Sequence, residues 1–305
     1  MAEAAQIVYH RGEFVARDRA RYAVEDRGVL FADGVYEVVR FDRGRPFAMQ
    51  AHVDRLARSM EGIELVGVPA EPFAALSAEL LERNDLTDAK VYWQVTRGPA
   101  TRDFLVPDGA EPTMTLIAYP TPPIASPAEP PHGAGYIAED CRWTRCWIKS
   151  LMLLPASLAK SAAVRAGAVE AIFARQKPTA GAPGGLGDPG AERHITEGAS
   201  TNVFIVRDGE LLTHPDDGWV LGGITRDTLI RIAGGLGIPV RDDRPFTEAD
   251  LAAADEVFVC STTQLTAITS IVGDQAEVVI ADGRVGGITK KTYAAYHEAI
   301  FDRAL

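Results

Sequence analysis

One lysine near the middle of the chain stands among large apolar residues. Lys149 follows the segment 146–148 (CWI) and, after one serine, precedes the segment 151–154 (LMLL). Burial disfavours the charged form of an amine, and a neutral amine is a nucleophile that forms Schiff bases with carbonyl groups. The alternative is a lysine that snorkels its amine to the surface, and this stretch alone favours it because Schiff-base lysines are rare. Lys160 lies inside a helical pattern and is expected to point outward.

Two turns in the second half of the chain have the composition of a phosphate site. The segment 221–225 (LGGIT) places two glycines before a helical pattern, which leaves backbone N–H groups available to an anion. A plain helix start capped by Thr225 explains the same residues equally well. The segment 261–263 (STT) follows an apolar strand and offers three hydroxyls to the same anion, although alone it is an ordinary polar turn.

Three residues of the first half can also contribute to a site. Tyr36 and Arg40 share one face of a predicted strand that follows the turn signal Asp33-Gly34, so both side chains could reach one ligand. A surface tyrosine beside an arginine is an equally good interpretation. Arg55 points away from the apolar stripe of a predicted helix, and that pattern alone predicts a solvated side chain.

Hydrophobic periodicity predicts the elements that carry these residues, in an α/β protein of two domains. We expect a smaller domain over 1–119, an extended linker over 120–131 with six prolines, and a larger domain over 132–305. Strands are predicted at 35–41, 89–97, 113–118, 136–141, the lysine segment, 202–206, 210–214, 256–260, 268–272 and 278–280. Helices are predicted at 52–63, 72–83, 155–175, after 225, and at 289–305.

Composition restricts the classes of function. The 305 residues are 47% hydrophobic and 24% charged, as in a soluble globular protein, and the formal charge of −11 argues against a nucleic-acid partner. No run has the length of a membrane span and the start lacks the apolar core of a secretory signal, so a cytoplasmic protein with a small-molecule ligand is expected.

Several motifs are rejected. The three cysteines have no paired spacing, which predicts neither a disulfide framework nor a metal site. The segment 185–190 (GLGDPG) matches a dinucleotide-binding pattern but lacks the strand before it and the helix after it. No metalloprotease or nucleophile-elbow motif accompanies the six histidines.

Taken together and in order, the segments resemble a known family. The phrases DRGVLFADGVYEVVR, HVDRLARSMEGI, QVTRG, IKSLMLLPASLAK, ITEGASTNVF, LGGITRDTLI and VCSTTQLT cover nearly the whole chain. They resemble the class IV (fold-type IV) aminotransferases, most closely the D-amino-acid aminotransferases. The resemblance implies a small α/β domain, a larger α/β domain with a barrel-like sheet, a homodimer, and pyridoxal 5'-phosphate (PLP) bound in a cleft.

The resemblance also implies roles for individual residues. Lys149 is similar to the Schiff-base lysine, and Glu197 to the carboxylate that keeps the pyridine nitrogen of PLP protonated. The remaining cofactor contacts implied are a phosphate cup of Arg55, Ile224, Thr225 and Thr262, and the ring-lining residues Tyr36 and Leu221. The activity implied is transfer of an amino group between D-amino acids and 2-oxo acids such as pyruvate and 2-oxoglutarate.

Departures from the family pattern concern the substrate. Arg102, Tyr36, Arg40 and Phe104 are the candidate substrate-binding residues. Phe104 stands where these enzymes commonly have a histidine, and Met152 where asparagine is usual. We therefore expect a raised KM for D-alanine and some activity on (R)-amines. The alternatives are an (R)-selective amine transaminase, a branched-chain L-amino-acid aminotransferase, an aminodeoxychorismate lyase, and a cofactor-binding protein without turnover.

Overall fold

The computed structural model describes residues 6–124, 129–176, 192–262, 264–273 and 277–302. The chain forms two compact units: unit 1 comprises Met1–Ala125 and Ile148–Met152, and unit 2 comprises Ser126–Trp147 and Leu153–Leu305. This division differs from the predicted domains, because the segment that carries Lys149 belongs to unit 1. Part of the predicted linker (125–128), the rejected glycine pattern and Thr263 lie outside the described residues.

Unit 1 contains an antiparallel sheet of six strands in the order β2-β1-β6-β5-β3-β4. Its elements are β1 (Ile7–His10), β2 (Glu13–Ala16), α1 (Arg27–Phe31), β3 (Gly34–Asp42), β4 (Arg45–Pro46), α2 (Met49–Gly62), α3 (Pro72–Arg83), β5 (Ala89–Thr96) and β6 (Thr113–Pro120). The predicted helices and strands of this half are therefore present, whereas the hairpin of β1 and β2 was not predicted.

The two faces of this sheet differ because successive side chains of a strand point to opposite sides. One face packs against α2 and α3 and is apolar at its centre, where Trp93 is fully buried and donates to Ser77 of α3 (2.7 Å). The other face carries Tyr36 and Arg40, as the alternation predicts. Sequence periodicity thus assigns the core face correctly, and it leaves a polar face for ligand contacts.

Unit 2 contains a nine-stranded sheet that curls into a half-barrel, which confirms the predicted α/β class. Its strand order is β12-β11-β10-β13-β14-β7-β8-β9, with β15 paired to β14. The elements are β7 (His132–Glu139), α4 (Leu154–Arg165), β8 (Glu170–Gln176), β9 (Arg193–Gly198), β10 (Asn202–Arg207), β11 (Glu210–Thr213), α5 (Ile224–Gly235), β12 (Val240–Arg241), α6 (Glu248–Ala252), β13 (Glu256–Ser261), β14 (Gln264–Val272), β15 (Val278–Val279) and α7 (Gly287–Asp302).

Two predicted elements of the second half are wrong. The helix predicted over 155–175 ends at Arg165, and β8 follows, because Gly167 adopts a left-handed φ of +80° that stops a helix. The lysine segment is not a strand; it pairs with β3 only through an isolated bridge between Ser150 and Val35. Among the described residues, no helix combines the length and the apolar character needed to cross a membrane.

Candidate active site

Lys149 is held by backbone hydrogen bonds to the start of β3. Its carbonyl oxygen accepts from the N–H of Tyr36 (2.9 Å), and its own N–H donates to the hydroxyl of Ser59 in α2 (3.1 Å). A second backbone bond, from Leu151 N–H to Gly34 O (3.0 Å), fixes the segment on the other side. The lysine backbone is therefore fixed to unit 1 at three points, so its side chain starts from a defined place.

The side chain of Lys149 is half-buried rather than enclosed. Its Nζ lies 4.4 Å from the centroid of the Tyr36 ring, a cation–π distance. Met152 and Leu154, which the sequence suggested would shield it, are exposed. The structure thus brings together two of the predicted site residues, and Lys160 in α4 points outward as expected, with its Nζ 3.1 Å from Glu170.

Arg55 is buried, so the solvated arginine that its helix pattern alone predicts is wrong. Its Nε and Nη2 donate to the two oxygens of Glu37 at 2.6 and 2.9 Å, and His52 Nδ1 lies 2.8 Å from the same carboxylate. Burial alone raises the pKa of Glu37, but Arg55 and His52 outweigh it and hold that pKa far below its usual range. Burial also lowers the pKa of His52. Glu37 and His52 therefore fix the orientation of Arg55.

Arg40 is occupied by contacts within unit 1. Its Nη2 donates to the carbonyl of Pro122 (2.6 Å), its Nη1 donates to the hydroxyl of Thr121, and Asp42 lies 3.7 Å away. These contacts hold the segment that follows β6. Arg40 shares a sheet face with Tyr36 as predicted, and its substrate role stays a prediction.

The loop that carries Arg102 and Phe104 is exposed. Phe104 is 82% exposed, its ring lies 5.8 Å from that of Phe31, and the guanidinium of Arg102 lies 5.6 Å from the Phe31 ring. Arg27 anchors this loop, because its Nη1 donates to the carbonyl of Asp103 (2.7 Å). The substrate roles of Arg102 and Phe104 stay predictions.

Glu197, the residue before the last of β9 in unit 2, is a buried carboxylate with donors on both oxygens. Arg142 donates to Oε1, while the N–H of Leu221 (3.0 Å) and the amide of Asn202 (3.2 Å) donate to Oε2. Burial raises the pKa of the Glu197 carboxyl, and Arg142 and the Leu221 N–H oppose that shift. The net effect is a raised pKa, and therefore a more basic carboxylate, which suits a group that must keep a proton on a neighbouring nitrogen.

No sequence motif singled out Arg142. It also pairs with Asp140 (2.8 Å), stacks 4.5 Å from the Phe173 ring, and has its pKa raised by these acidic neighbours despite burial. Asp140 in turn accepts from Arg175 (3.0 Å) and Thr196 (2.8 Å). The carboxylate of Glu197 is thus one end of a buried ionic network.

The predicted phosphate turn lies at the start of α5. Gly223, not Thr225, is the residue before the helix, and no side chain caps the first turn. A Cβ on Gly223 would overlap the side-chain oxygen of Asn202, so the close approach requires glycine. Ile224 is half-buried and Thr225 is buried. The first-turn N–H groups are therefore presented without a competing side-chain cap.

Thr262 is half-buried in the turn between β13 and β14. Within unit 2, the structure brings Leu221 and Glu197 into direct contact and places Asn202 between them and Gly223. Two of the residues implied for cofactor binding in this unit, Glu197 and Leu221, are thus in direct contact, and Asn202 links them to the start of α5. Asn202 joins these turns, and only its place in the phrase ITEGASTNVF suggested it.

Comparison with known proteins gives a consistent result. The family model of amino-transferase class IV matches residues 34–271. D-alanine aminotransferase of Listeria monocytogenes serotype 4b (strain F2365) is 39% identical over 293 residues, covering 94% of this chain and 93% of that protein. D-alanine aminotransferase of Staphylococcus epidermidis (strain ATCC 35984) is 37% identical over 297 residues, covering 96% of this chain and 97% of that protein.

A solved structure shares the fold. The branched-chain amino acid aminotransferase of Escherichia coli superposes with a TM-score of 0.80 at 25% identity, covering 98% of this chain and 94% of that chain. The family model and these relatives together cover most of the chain. The chain belongs to the class IV aminotransferases.

Proposed function

We propose that the protein is a PLP-dependent transaminase that transfers an amino group between D-amino acids and 2-oxo acids such as pyruvate and 2-oxoglutarate. The buried Glu197 carboxylate, held by Arg142 and by the Leu221 N–H, is the observation that carries the proposal. A carboxylate so fixed suits a heterocyclic nitrogen that must stay protonated. The choice of D-amino acids is supported by the names of the relatives that cover nearly the whole chain.

The residues present fit this cofactor. Glu197 supplies a carboxylate for the pyridine nitrogen, and the uncapped first turn of α5 with Gly223 supplies N–H donors for a phosphate. Arg55 supplies a cation and Lys149 supplies the amine for the covalent attachment. When bound, PLP withdraws the electrons that a substrate Cα releases with its proton.

The protein groups then have separate tasks. With the cofactor bound, Lys149 would hold it through its amine and would also take up and return the proton at the substrate Cα, so one amine would serve as attachment and as general acid and base. Tyr36 lies against this amine and fixes its position. Arg102 offers a two-pronged donor set for an α-carboxylate.

Labelling tests the cofactor assignment. The purified protein should be yellow, and borohydride should fix the chromophore on the peptide that contains Lys149. Lys149→Ala should abolish the fixed label, whereas the matched change Lys160→Ala should retain it, because Lys160 is engaged with Glu170. A label on Lys160, or no chromophore after PLP is added, would contradict the assignment.

An amino-donor panel tests the reaction. D-alanine with 2-oxoglutarate should give pyruvate and glutamate. The transamination rate with D-amino acids should exceed the rate with L-branched-chain acids and with (R)-1-phenylethylamine. Pyruvate formed only from aminodeoxychorismate would identify the lyase alternative, and activity confined to L-branched-chain acids would overturn the stereochemistry. Absence of turnover with every donor would identify a binding protein.

A second candidate, the (R)-selective amine transaminase, is favoured by Phe104. This side chain is apolar where the family commonly has a polar one, and it is 82% exposed. Arg102→Ala should reduce D-amino-acid activity but leave amine activity, because an amine without a carboxylate does not need the guanidinium. Equal losses on both substrates would show that Arg102 only supports the loop.

We also propose a cytoplasmic homodimer. The three cysteines are unpaired, as in reducing compartments. Unit 1 exposes a group of apolar side chains of the kind that marks a protein interface, comprising Val24, Val29, Leu30, Phe104, Leu105 and Val106. Light scattering should give twice the chain mass of 32.8 kDa, and Leu105→Asp should shift the mass towards the monomer. A wild-type monomer at micromolar concentration would contradict the dimer.

A further inference from the structure

A row of polar side chains crosses the face of the unit 1 sheet that α2 and α3 do not cover. Strand register sets His10 opposite Thr115, Thr115 opposite Gln94, and Gln94 opposite Tyr36. Tyr92 lies two residues before Gln94 on the same face of β5. Of these residues only Tyr36 has a part in the proposed reaction, so the remainder of the row has no assigned purpose.

The row is joined by hydrogen bonds whose direction is fixed at the His10 end. His10 Nε2 lies 3.0 Å from the carbonyl oxygen of Arg21, which can only accept, so this ring nitrogen carries the proton. In the neutral ring the other nitrogen is then an acceptor. Its neighbour at 2.9 Å is the Thr115 hydroxyl, which must donate to it.

Each later bond follows from the one before. Since the Thr115 proton is directed to His10, Thr115 accepts from the Tyr22 hydroxyl at 2.5 Å. Tyr22 accepts in turn from the amide nitrogen of Gln94 (2.8 Å), and the amide oxygen of Gln94 accepts from the Tyr92 hydroxyl (2.8 Å). The proton of Tyr92 is therefore directed along the sheet, and the remaining lone pair of its oxygen is available to an incoming donor.

Tyr92 is linked to Lys149 through the ring of Tyr36. Its ring stacks on that of Tyr36, with centroids 5.6 Å apart and planes inclined by 28°, and the Tyr36 ring lies 4.4 Å from Lys149 Nζ. The Tyr92 side chain is only half-buried in unit 1. Its side chain therefore lies on the same sheet face as Tyr36, in contact with the residue that packs against Lys149.

We propose that Tyr92 is a specificity-determining residue whose oxygen accepts a hydrogen bond from the substrate side chain. The substrates it favours are D-amino acids that end in a hydrogen-bond donor such as an ammonium group. Gln94, Tyr22, Thr115 and His10 are positioning residues that hold Tyr92 in its accepting orientation. This inference rests on the proposed function, because it requires a D-amino acid beside Lys149.

Other charged groups on this face affect the absolute preference. Arg40 and Lys90 form the cross-strand pair further along the same face. Burial and the nearby Arg40 lower the pKa of Lys90. These cations attract acidic side chains, so the test is a change of preference between variants and not the preference of the wild type.

Three D-amino acids of similar length separate the effects: D-ornithine, which ends in a donor, D-glutamate, which ends in an acceptor, and D-norvaline, which ends in a methyl group. In Tyr92→Phe, kcat/KM for D-ornithine should fall roughly 10-fold, mainly through KM, as expected for one hydrogen bond to a charged group. D-norvaline should change less than about 2-fold because it makes no such bond. Tyr119→Phe, a change on the same face outside the chain of hydrogen bonds, should alter neither value.

The variant Gln94→Leu tests whether the direction of the Tyr92 hydrogen bond matters, and not only the presence of the Tyr92 hydroxyl. This variant removes the acceptor of the Tyr92 proton, so the hydroxyl can turn and donate. We therefore expect kcat/KM to rise for D-glutamate and to fall for D-ornithine. The inference would be overturned by an equal loss of kcat/KM on all three substrates. It would also be overturned if the ratio of kcat/KM between D-ornithine and D-glutamate were unchanged in both variants. In either case D-alanine turnover would still support the proposed function. Absence of D-alanine turnover would overturn the proposed function.

A spectroscopic readout is independent of turnover. Long-range ¹H–¹⁵N spectra of the protein should show His10 as the neutral tautomer protonated at Nε2. A His10 ring protonated at Nδ1 would reverse the direction of every bond in the row and would overturn the inference even if the substrate ratios changed.

Discussion

Among the single residues, Glu197 allows the clearest test of the proposed function. Glu197→Gln should retain bound PLP but slow transamination about 10- to 1000-fold, the range for removing one electrostatic stabiliser. The amide carries no charge to hold a proton on the pyridine nitrogen, so the absorption spectrum of the bound cofactor should shift as well. Single-turnover measurements of proton removal from D-alanine would detect the change, and unchanged turnover would show that another group has this role.

Glu37 offers a second test at this scale. Glu37→Gln removes the carboxylate that both Arg55 and His52 contact. Breaking a buried ion pair leaves an uncompensated charge and costs about 3–5 kcal/mol. We expect a lower Tm and weaker PLP binding, because Arg55 loses its fixed orientation. The exposed pair of Arg83 and Glu79 is the matched control, and Glu79→Gln should change the Tm little. Equal effects of the two variants would contradict this account.

Individual residues were predictable to different degrees. Lys149 and Glu197 follow from phrases that resemble a family, but their partners depend on contacts between distant parts of the chain. Arg142 lies 55 positions before Glu197 and reaches it only because the chain folds back through β8 and β9. The helical periodicity predicts that Arg55 is solvated. It is buried instead because it pairs with Glu37 of β3, a contact that the pattern of one helix cannot predict.

Helix α5 provides a test at the scale of an element. Gly223→Ala places a Cβ against Asn202, which itself contacts Glu197 and Leu221. Overpacking of this kind costs about 1–3 kcal/mol, and the displaced Asn202 should also weaken PLP binding.

The matched change is Gly234→Ala in the same helix. A Cβ there meets no atom within 4 Å, and alanine is the better helix former by roughly 0.8–1 kcal/mol. Thermal unfolding with and without PLP should therefore show a lower Tm for Gly223→Ala. The Tm of Gly234→Ala should equal or exceed that of the wild type. Identical behaviour of the two variants would show that the approach to Asn202 is not critical.

Whole elements were predicted best where the periodicity was strong. Helix α3 begins at a proline and repeats its apolar residues regularly, and its predicted bounds agree with the structure. The segment 155–175 was predicted as one helix because β8 is a short run buried on both sides, which has no alternation to distinguish it from a buried helix. The left-handed Gly167 between them was the available signal.

Three histidines predict how the stability of the whole molecule depends on pH. Burial lowers the pKa of His52, His214 and His297. A lowered pKa in the folded protein means that the unfolded chain binds the proton more readily. Stability should therefore be lost as the pH falls below about 6.5, the pKa of an unfolded histidine.

Thermal unfolding between pH 8 and pH 5 measures this effect, with about 2–4 °C of Tm for each kcal/mol lost in a protein of this kind. His297→Gln should reduce the slope of Tm against pH. A Tm that rises on acidification would contradict the expectation.

The division of the chain between the two units has a consequence for biosynthesis. Unit 1 ends its first segment at Ala125 and is completed only by Ile148–Met152. The ribosome must therefore add 27 further residues (152 minus 125), including all of β7, before unit 1 has its full set of contacts. The residues of β1 to β6 are therefore all synthesised before Lys149 is added. If PLP is attached to Lys149 as proposed, its capture has to wait until translation has passed β7.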